Sequence, residues 1–443
     1  MRSSKLTRLL VAGLRRSGRV SLFVGDLLED AGWRATIATL WQGLRPRLER
    51  SIISLSTWLV TPPAVPYSNE DLGELPLQPG VLFIGYAQGA LGLGQAFRAD
   101  LEAARFLDIP FAIQPIEKGI EKRMIGPFMP ELYDRQGAYA VNVIEVSVDQ
   151  LSTAWDGLGP ARYERSYNIL RTYWELPQAP KEWRETLAII DEIWAPTQFI
   201  ADAFAPIFEG AIHVIPPVVD NLQPRAVDRR RFGLSTSRFV FLFSFDYNSS
   251  PYRKNPLAVL DAFATAFPDR EIPVDLVVKT NGQADLFPQA RDAIATAARR
   301  DPRIHVIHAH LDREAMLDLI ATADVYVSLH RAEGFGLGMA EAMALERLVV
   351  ATDFSGNTDF LNSETGYPIP YRLRPIMRHE YPGAEGQFWA EPDVEAAARV
   401  MRELVLSDMD QKKKINVARE AVRRKYSRER VGKMMEERLG ALM

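Results

Sequence analysis

The sequence HRAEGFGLGMAEAMALERL, residues 330–348, is the stretch from which the rest of the chain is interpreted. It contains two glutamates, Glu333 and Glu341, that stand eight residues apart. Apolar strands are predicted before and after it, over Val325–Leu329 and Leu348–Thr352. Glu333 is therefore expected on a loop at the carboxyl end of a strand, and Glu341 about one turn into the helix that follows. Ligands of parallel α/β sheets bind at this edge.

The turn between the two acids is rich in glycine and has the sequence GFGLG, residues 334–338. Glycines let backbone N–H groups come close to a ligand, and the start of a helix adds positive partial charge, so a phosphate would be well held here. Carboxylates instead accept hydrogen bonds from hydroxyl groups. A ligand with both features is a nucleotide sugar. On spacing alone, the alternative is that Glu333 only stabilises the helix start and that Glu341 faces solvent.

The block EGFGL, followed by EAMA, resembles the E-x7-E signature of retaining glycosyltransferases with the GT-B fold, of the family-four type. The next segment, VVATDFSGNTDFL, resembles the strand and glycine loop that follow in that family, and the likeness runs from about Val81 to the C-terminus. The resemblance implies that Glu333 contacts the hydroxyls of the donor sugar and that Glu341 contacts the nucleotide ribose. It also implies that backbone amides of the turn face the sugar and diphosphate, at positions Gly334, Phe335, Gly336 and Leu337.

Composition limits the other possibilities. With 443 residues the chain is long enough for two domains, and its net charge of −4 gives no general attraction to nucleic acid. The absence of cysteine excludes disulfides and thiolate metal sites, and the six histidines are scattered. We therefore expect no metal site, no nucleic-acid partner and no cofactor other than a nucleotide-diphosphate sugar acting as co-substrate.

The first 60 residues differ from the rest, since they hold ten basic and four acidic residues. Leu6, Leu10 and Leu14 recur at helical spacing, and a basic amphipathic helix of this kind can lie on an anionic membrane. The alternative is a helix packed on the main body with a solvated basic face. Apolar runs here are too short for a signal peptide, and prolines interrupt the charge-free stretch 51–69, so no transmembrane segment is expected. We expect a cytoplasmic protein, with peripheral contact at the inner face of the membrane as a further prediction.

Strands that alternate with helices predict two doubly wound domains. Residues 1–76 are interpreted as a basic helical extension and linker, and residues 77–218 as an N-terminal Rossmann-like acceptor domain. Residues 219–420 are interpreted as a C-terminal Rossmann-like domain that binds the nucleotide sugar. The last helix, within residues 421–443, is expected to cross back to the first domain.

The first domain begins with a predicted strand, glycine loop, helix and second strand. The strands are Val81–Tyr86 and Phe111–Ile116, and the loop contains Gly92. Glu117 lies near where the acid of a dinucleotide-binding unit would stand, so an NAD site is an alternative on spacing, although the glycine order is not G-x-G-x-x-G. The family resemblance implies instead that the loop, including Gly92, approaches the acceptor and the donor phosphates.

Trp174 and Glu175, in the segment WELP, stand where the family often has a histidine near the anomeric centre. This departure puts the usual role of the histidine in doubt. Glu175 is a candidate for the polar group or base on the acceptor side, and the alternative is a structural carboxylate bonded to nearby backbone. Trp174 is a candidate stacking surface for a sugar, although core packing is more common for tryptophan.

The loop DYNSSPYRKNP, residues 246–256, is predicted at the carboxyl end of a strand and carries Arg253 and Lys254. Cations there can neutralise a diphosphate leaving group. The family commonly has an arginine right after this strand and a lysine at the next helix. Lys254 fits the lysine, whereas Asn248 or a neighbour occupies the place of the arginine, so Arg253 is its candidate substitute. Lys279, at the end of the next strand, is a further candidate cation. The alternative for all three is a solvated surface charge.

The predicted fold is α/β, of the GT-B type, with two Rossmann-like domains facing across a cleft. The predicted function is that of a metal-independent retaining glycosyltransferase that moves a sugar to a glycan or lipid-linked acceptor in polysaccharide or glycoconjugate biosynthesis. Its candidate catalytic residues are Glu333, Arg253, Lys254 and Glu175, and Glu341 and Lys279 are candidates for donor binding. The alternative, motivated by the missing histidine, is a catalytically inactive GT-B-like binding or scaffolding protein.

Overall fold

A computed structural model describes residues 76–121, 124–407 and 411–443 of the protein. The basic helix predicted near the N-terminus, and the membrane contact predicted for it, lie outside the described residues. Among the helices that are described, none combines the length and the apolar character needed to cross a bilayer.

The first domain is built on a parallel sheet of six strands in the order β2-β1-β3-β4-β5-β6. Its strands are β1 (Leu77–Gly85), β2 (Phe111–Pro115), β3 (Ala138–Glu145), β4 (Tyr167–Arg171), β5 (Glu192–Ala195) and β6 (Ala211–Val214). Its helices are α1 (Gly92–Ala104), α2 (Leu151–Leu158), α3 (Pro160–Tyr163), α4 (Trp183–Thr186) and α5 (Gln198–Phe204).

The second domain repeats this architecture, with six parallel strands in the order β12-β11-β10-β7-β8-β9. Its strands are β7 (Phe239–Asp246), β8 (Val274–Asn281), β9 (Ile304–His308), β10 (Val325–Ser328), β11 (Leu348–Thr352) and β12 (Tyr367–Ile369). Its helices are α6 (Pro251–Lys254), α7 (Pro256–Ala266), α8 (Pro288–Arg300), α9 (Arg313–Thr322) and α10 (Leu337–Ala344).

The central strands of both sheets are apolar on both faces. In β7, for example, Phe241 and Phe243 enter one core while Val240 and Leu242 enter another. Strands of this kind are covered by helices on both sides, as parallel sheets require. The strand order reverses between β1 and β3 in the first sheet and between β7 and β10 in the second. Ligands of such sheets bind outside the carboxyl ends of the strands at these reversal points.

An antiparallel hairpin follows the second sheet, and it was not among the predicted elements. It consists of β13 (Tyr371–Pro375) and β14 (Phe388–Pro392), joined by the loop 376–387. Although it comes late in the chain, its fully buried Trp389 and its loop residues Ile376 and Ala384 belong to the same core cluster as strands of the first domain. We call residues 371–392 the strap, because they connect the second domain to the first.

The chain ends with α11 (Val394–Leu406), α12 (Gln411–Tyr426) and α13 (Arg428–Gly440). Helix α12 packs on the core of the second domain, whereas Val431, Met435 and Leu439 of α13 join the core of the first domain. A Cβ atom at Gly432 would lie 2.5 Å from the carbonyl oxygen of Ala103, so a glycine there lets α13 approach α1 closely. The chain therefore passes from one domain to the other between α12 and α13.

Candidate active site

Glu333 lies on the loop between β10 and α10, and a second loop fixes its backbone. Its N–H donates to Ser355 Oγ at 2.7 Å, and its carbonyl accepts from the N–H of Gly356 at 2.9 Å. A Cβ atom at Gly356 would lie 1.9 Å from the carbonyl oxygen of Gly334, so the two loops touch backbone to backbone. Gly336, with φ of 92°, takes the left-handed conformation that begins α10. The backbone of Glu333 is therefore held in place by contacts between these two loops.

The carboxylate of Glu333 is buried and contacts two cations. Its Oε1 accepts from Lys254 Nζ at 2.5 Å, and its Oε2 lies 3.1 Å from an Nη atom of Arg253. Burial raises the pKa of Glu333, but the attraction of Lys254 and Arg253 outweighs it and lowers the pKa to about 2. Glu333 is therefore ionised at neutral pH.

Arg253 joins this acid to Glu175 of the first domain. Its Nη2 atom lies 3.6 Å from Oε1 of Glu175, whereas Nη1, which faces Glu333, donates to the carbonyl of Ala332 at 2.9 Å. Burial lowers the pKa of Arg253, yet attraction to Glu333 and Glu175 reverses the effect, so the net shift is upward. Tyr381 of the strap donates from its hydroxyl to Oε2 of Glu175 at 2.6 Å. The four predicted catalytic residues thus form one cluster at the junction of the two domains.

Glu341 lies in a separate cluster at the same junction. It is 3% exposed, and its Oε1 accepts from Arg313 at 2.5 Å and from Gln95 Nε2 at 3.2 Å. Burial raises the pKa of Glu341, and although Arg313 and Gln95 act in the opposite direction, the net shift is upward. The alternative in which Glu341 faces solvent is therefore wrong. Gln95 belongs to α1, so this acid too is contacted from the first domain.

Lys279 is buried at the end of β8 and stands apart from both clusters. Within the described part of the chain it makes no hydrogen bond or ion pair, and burial lowers its pKa, partly opposed by Asp246. In the sheet it is paired with Ser244, whose hydroxyl shares a 2.7 Å hydrogen bond with Tyr326. A Cβ atom at Gly338 would lie 2.5 Å from that Tyr326 hydroxyl. Lys279 therefore lies on the sheet face that meets the first turn of α10.

The other predicted residues lie at the start of helices or in the core. Phe335 is a core side chain with its ring 5.3 Å from that of Tyr426, so it can offer a ligand only its backbone N–H group. Leu337 is the first residue of α10 and has a partly buried side chain. Gly92 is the first residue of α1 and has open space where a Cβ would stand. The loop before it is held by Arg98, which donates to the carbonyls of Ala87 and Gly89 at 3.1 and 2.9 Å.

Trp174 lies in the core rather than on an exposed surface. Its indole N–H donates to the carbonyl of Gln178 at 2.9 Å, and its ring packs at 4.8 Å from that of Trp183. It therefore supports the loop that carries Glu175. Of the two possibilities left open for Trp174, core packing is the one observed.

Sequence reasoning missed several polar residues of the two clusters: Gln95, Arg313, Ser355 and Tyr381. Each contacts a predicted acid from another part of the chain, so no local spacing indicates it. For Arg313 there is one signal, because it begins a helix at the carboxyl end of β9, the same edge that carries the other cations. For Tyr381 the sequence offers no comparable local signal.

Solved structures share this architecture at low sequence identity. HepE from Anabaena, in a crystal structure with UDP and glucose, is 16% identical, with 82% of this chain and 100% of that chain covered and a TM-score of 0.58. Sucrose-phosphate synthase from Thermosynechococcus elongatus is 14% identical, with 82% and 99% covered and a TM-score of 0.59. A glycosyltransferase from Rickettsia africae is 15% identical, with 82% and 98% covered and a TM-score of 0.57. No curated protein sequence matches the chain.

Two Rossmann-like domains whose carboxyl edges meet, together with these structural matches, define the fold as GT-B, as predicted. Residues 238–375 match the family model of the glycosyl transferases group 1, and this range contains β7 to β13 and both acids of the motif. The chain is a glycosyltransferase with the GT-B fold, and its second domain carries the group 1 domain.

Proposed function

We propose that this glycosyltransferase moves a sugar from a nucleotide-diphosphate sugar to a glycan or lipid-linked acceptor, with retention of configuration at the anomeric carbon. The observation that carries the proposal is the cluster of Glu175, Arg253, Lys254 and Glu333, which the two domains build together. Carboxylates beside fixed cations are suited to a ligand that brings both hydroxyls and phosphates. The polysaccharide or glycoconjugate pathway remains a prediction from the family resemblance.

In this proposal Glu333 holds the hydroxyl groups of the donor sugar. Its pKa of about 2 keeps it an acceptor of hydrogen bonds at all ordinary pH values. It already has Lys254 as a partner, so the sugar would share this carboxylate with the ammonium rather than meet it free. Because Glu333 is held by two cations, we do not assign it the role of a covalent nucleophile.

The charge of the diphosphate needs further cations. Within the cluster, the charges of Arg253 and Lys254 cancel those of Glu175 and Glu333, so the cluster alone offers no net positive charge. Lys279 is a buried ammonium that no carboxylate contacts among the described residues, and the first turn of α10 adds positive partial charge. We propose that these two groups, with Lys254, stabilise the charge that develops on the leaving diphosphate, without a metal ion.

The reaction can be written so that charges and protons balance. The acceptor oxygen forms a bond to the anomeric carbon on the same face from which the diphosphate oxygen departs, so configuration is retained, and the nucleoside diphosphate leaves with the electron pair. The carboxylate of Glu175 accepts the proton of the acceptor hydroxyl. Fixed donors aimed at the developing charge lower the barrier because they act more strongly in the transition state than in the ground state.

The structural comparisons support the choice of donor class. HepE from Anabaena was crystallised with UDP-glucose as well as with UDP and glucose. Because the match to this chain is at low identity, the donors to be tested are guanosine, uridine and thymidine diphosphate sugars.

The test is a panel of these nucleotide sugars, with released nucleoside diphosphate and calorimetric binding as the two measurements. The wild-type chain is expected to bind and turn over at least one donor. Glu333→Gln should reduce turnover by roughly 100-fold, the usual effect of removing one group that contacts the transition state. Glu395→Gln, an exposed glutamate at the start of α11, is the matched control and should behave as wild type.

Two results would contradict the proposal. If Glu333→Gln keeps the rate of wild type within a few-fold, Glu333 does not hold the sugar. If the wild-type chain binds none of the nucleotide sugars, the result favours the second candidate function, that of a GT-B-like binding or scaffolding protein. The observation that motivates that candidate is Glu175 in the place where the family often has a histidine.

A further inference from the structure

The strap brings part of the second domain onto the loop of the first domain that carries Glu175. The side chain of Gln387 pairs with the backbone of Gln178 in both directions, accepting from its N–H at 2.9 Å and donating to its carbonyl at 3.1 Å. A Cβ atom at Gly383 would lie 3.1 Å from the ring of Pro180. The loop of Glu175 is therefore fixed by a segment that lies some 200 residues later in the chain.

Tyr381 is the residue of the strap that reaches the carboxylate itself. Its hydroxyl donates to Oε2 of Glu175 at 2.6 Å, and its ring packs at 5.9 Å from that of Trp174. Burial raises the pKa of Tyr381, and the neighbouring Glu175 raises it further. The phenol therefore keeps its proton and acts as a permanent donor to the carboxylate.

The other oxygen of Glu175 is incompletely paired. Oε1 lies 3.6 Å from the nearest Nη atom of Arg253, which is close enough for an ion pair but too far for a good hydrogen bond. The side chain of Glu175 is also 27% exposed, unlike the deeply buried Glu333. Tyr381 thus holds one oxygen of Glu175, and the other oxygen can still accept a hydrogen bond from an acceptor hydroxyl.

We propose that Tyr381 is a positioning residue that holds Glu175 away from Arg253 and thereby keeps one carboxylate oxygen available to the acceptor hydroxyl. The inference rests on the proposed function, because it deepens the role assigned there to Glu175. Without the phenol, the carboxylate is free to move onto the guanidinium of Arg253 and form a full ion pair. The oxygen that should receive the acceptor proton would then be occupied.

The inference also explains why the contact crosses between domains. Glu175 comes from the first domain, whereas Tyr381, Arg253 and Glu333 come from the second. The carboxylate is therefore oriented only when the two domains meet as they do in this structure. Formation of the donor site and orientation of the acceptor-side group become a single event, which limits the reaction of the donor while the domains are apart.

The test uses Tyr381→Phe in the full chain, which keeps the ring packing and removes only the hydroxyl. The probe is the nucleotide sugar of the panel that the wild-type chain hydrolyses fastest, with water as the acceptor. We expect kcat to fall about 10- to 100-fold, the range for losing a hydrogen bond to a charged group, while the Kd for the donor stays within about twofold. Tyr371→Phe, on the same strap but with an exposed ring, is the control and should leave both values unchanged.

A second measurement separates positioning from a general structural role. If Tyr381 acts through Glu175, Tyr381→Phe should have little further effect in the Glu175→Gln background, because the two changes remove the same function. Equal losses in both backgrounds, or a wild-type rate for Tyr381→Phe, would overturn the inference and leave the proposed function standing. A wild-type chain that binds no nucleotide sugar would overturn both.

Discussion

Glu333 and Glu341 belong to one motif and are both buried, yet their surroundings shift their carboxyl pKa values in opposite directions. Glu333 contacts Lys254 and Arg253, and its pKa is lowered to about 2. Glu341 contacts one guanidinium, that of Arg313, and its pKa is raised. Burial opposes ionisation of both acids, so the difference comes from the counter-charges.

The two sets of counter-charges differ in number and in burial. The side chains of Arg253 and Lys254 are 4% and 19% exposed, whereas that of Arg313 is 36% exposed and partly screened by water. Two largely buried cations lower the pKa of Glu333 by more than burial raises it. One partly exposed cation does not offset the effect of burial on the pKa of Glu341. It follows that Glu341, whose pKa is raised, takes up a proton before Glu333 as the pH falls.

The largest expected difference between the two clusters is in folding stability. Arg253→Met leaves Glu333 and Glu175 beside a single lysine, and removing one partner of a buried ion pair typically costs about 3–5 kcal/mol in the free energy of unfolding. Arg313→Met should cost less, because the guanidinium is 36% exposed and its attraction to Glu341 is partly screened by water. Urea unfolding at neutral pH measures both.

Equal losses of stability in these two variants would mean that the two clusters stabilise the fold to a similar extent, and that the comparison is wrong.

The pH dependence of the free energy of unfolding gives an independent check on Glu333. Because its folded pKa lies below its ordinary value of 4.5, the stability it contributes is present above that value and is lost as the pH falls toward about 2. This contribution is expected to shrink in Arg253→Met, where Lys254 alone still lowers the pKa of Glu333.

The next effect concerns nucleotide binding and pH. Since the pKa of Glu341 is raised, lowering the pH from neutral toward the ordinary range of a glutamate should protonate Glu341 before Glu333. If Glu341 accepts hydrogen bonds from the ribose, affinity for UDP or the nucleotide that the chain prefers should then weaken by about 10-fold, the scale of one hydrogen bond to a charged group.

Calorimetric titration of the nucleotide at several pH values measures this dependence. Glu341→Gln is the matched variant, since it keeps the shape and removes the titration, and its weaker affinity should be flat over the same interval. A pH dependence that persists in Glu341→Gln would assign the effect to another group.

The sequence was most informative where local signals decide the structure. The strands flanking the motif begin and end within a residue of their predicted limits, because apolar runs are local features. The loop with Arg253 and Lys254 lies where predicted for the same reason. Proximity of these cations to Glu333 also follows from topology, since β7 and β10 are neighbours at the reversal point of the sheet.

What the sequence could not show depends on contacts between distant segments. The strap was missed because its strands are short and joined by a long loop, so no turn signal marks the hairpin. With it, Tyr381 was missed, although this residue touches a predicted site residue. The opposite pKa shifts of Glu333 and Glu341 were equally inaccessible, because they depend on which cations the fold brings to each carboxylate.

The smallest expected effect is that of Gln95, which contacts Glu341 from the first domain through a neutral hydrogen bond of 3.2 Å. A neutral hydrogen bond contributes about 0.5–1.5 kcal/mol, so Gln95→Leu should change nucleotide affinity at neutral pH by only a few-fold. The hydrogen bond favours the ionised form of Glu341, so its loss should raise the pKa of this acid further.

The sharper measurement for Gln95 is therefore the pH profile rather than the affinity. In Gln95→Leu, the loss of nucleotide affinity should begin at a higher pH than in wild type, because Glu341 protonates earlier. Gln289→Leu, an exposed residue in the first turn of α8, should give the wild-type profile. An unchanged profile for Gln95→Leu would show that Arg313 alone sets the charge of Glu341, and that the first domain does not influence the second acid of the motif.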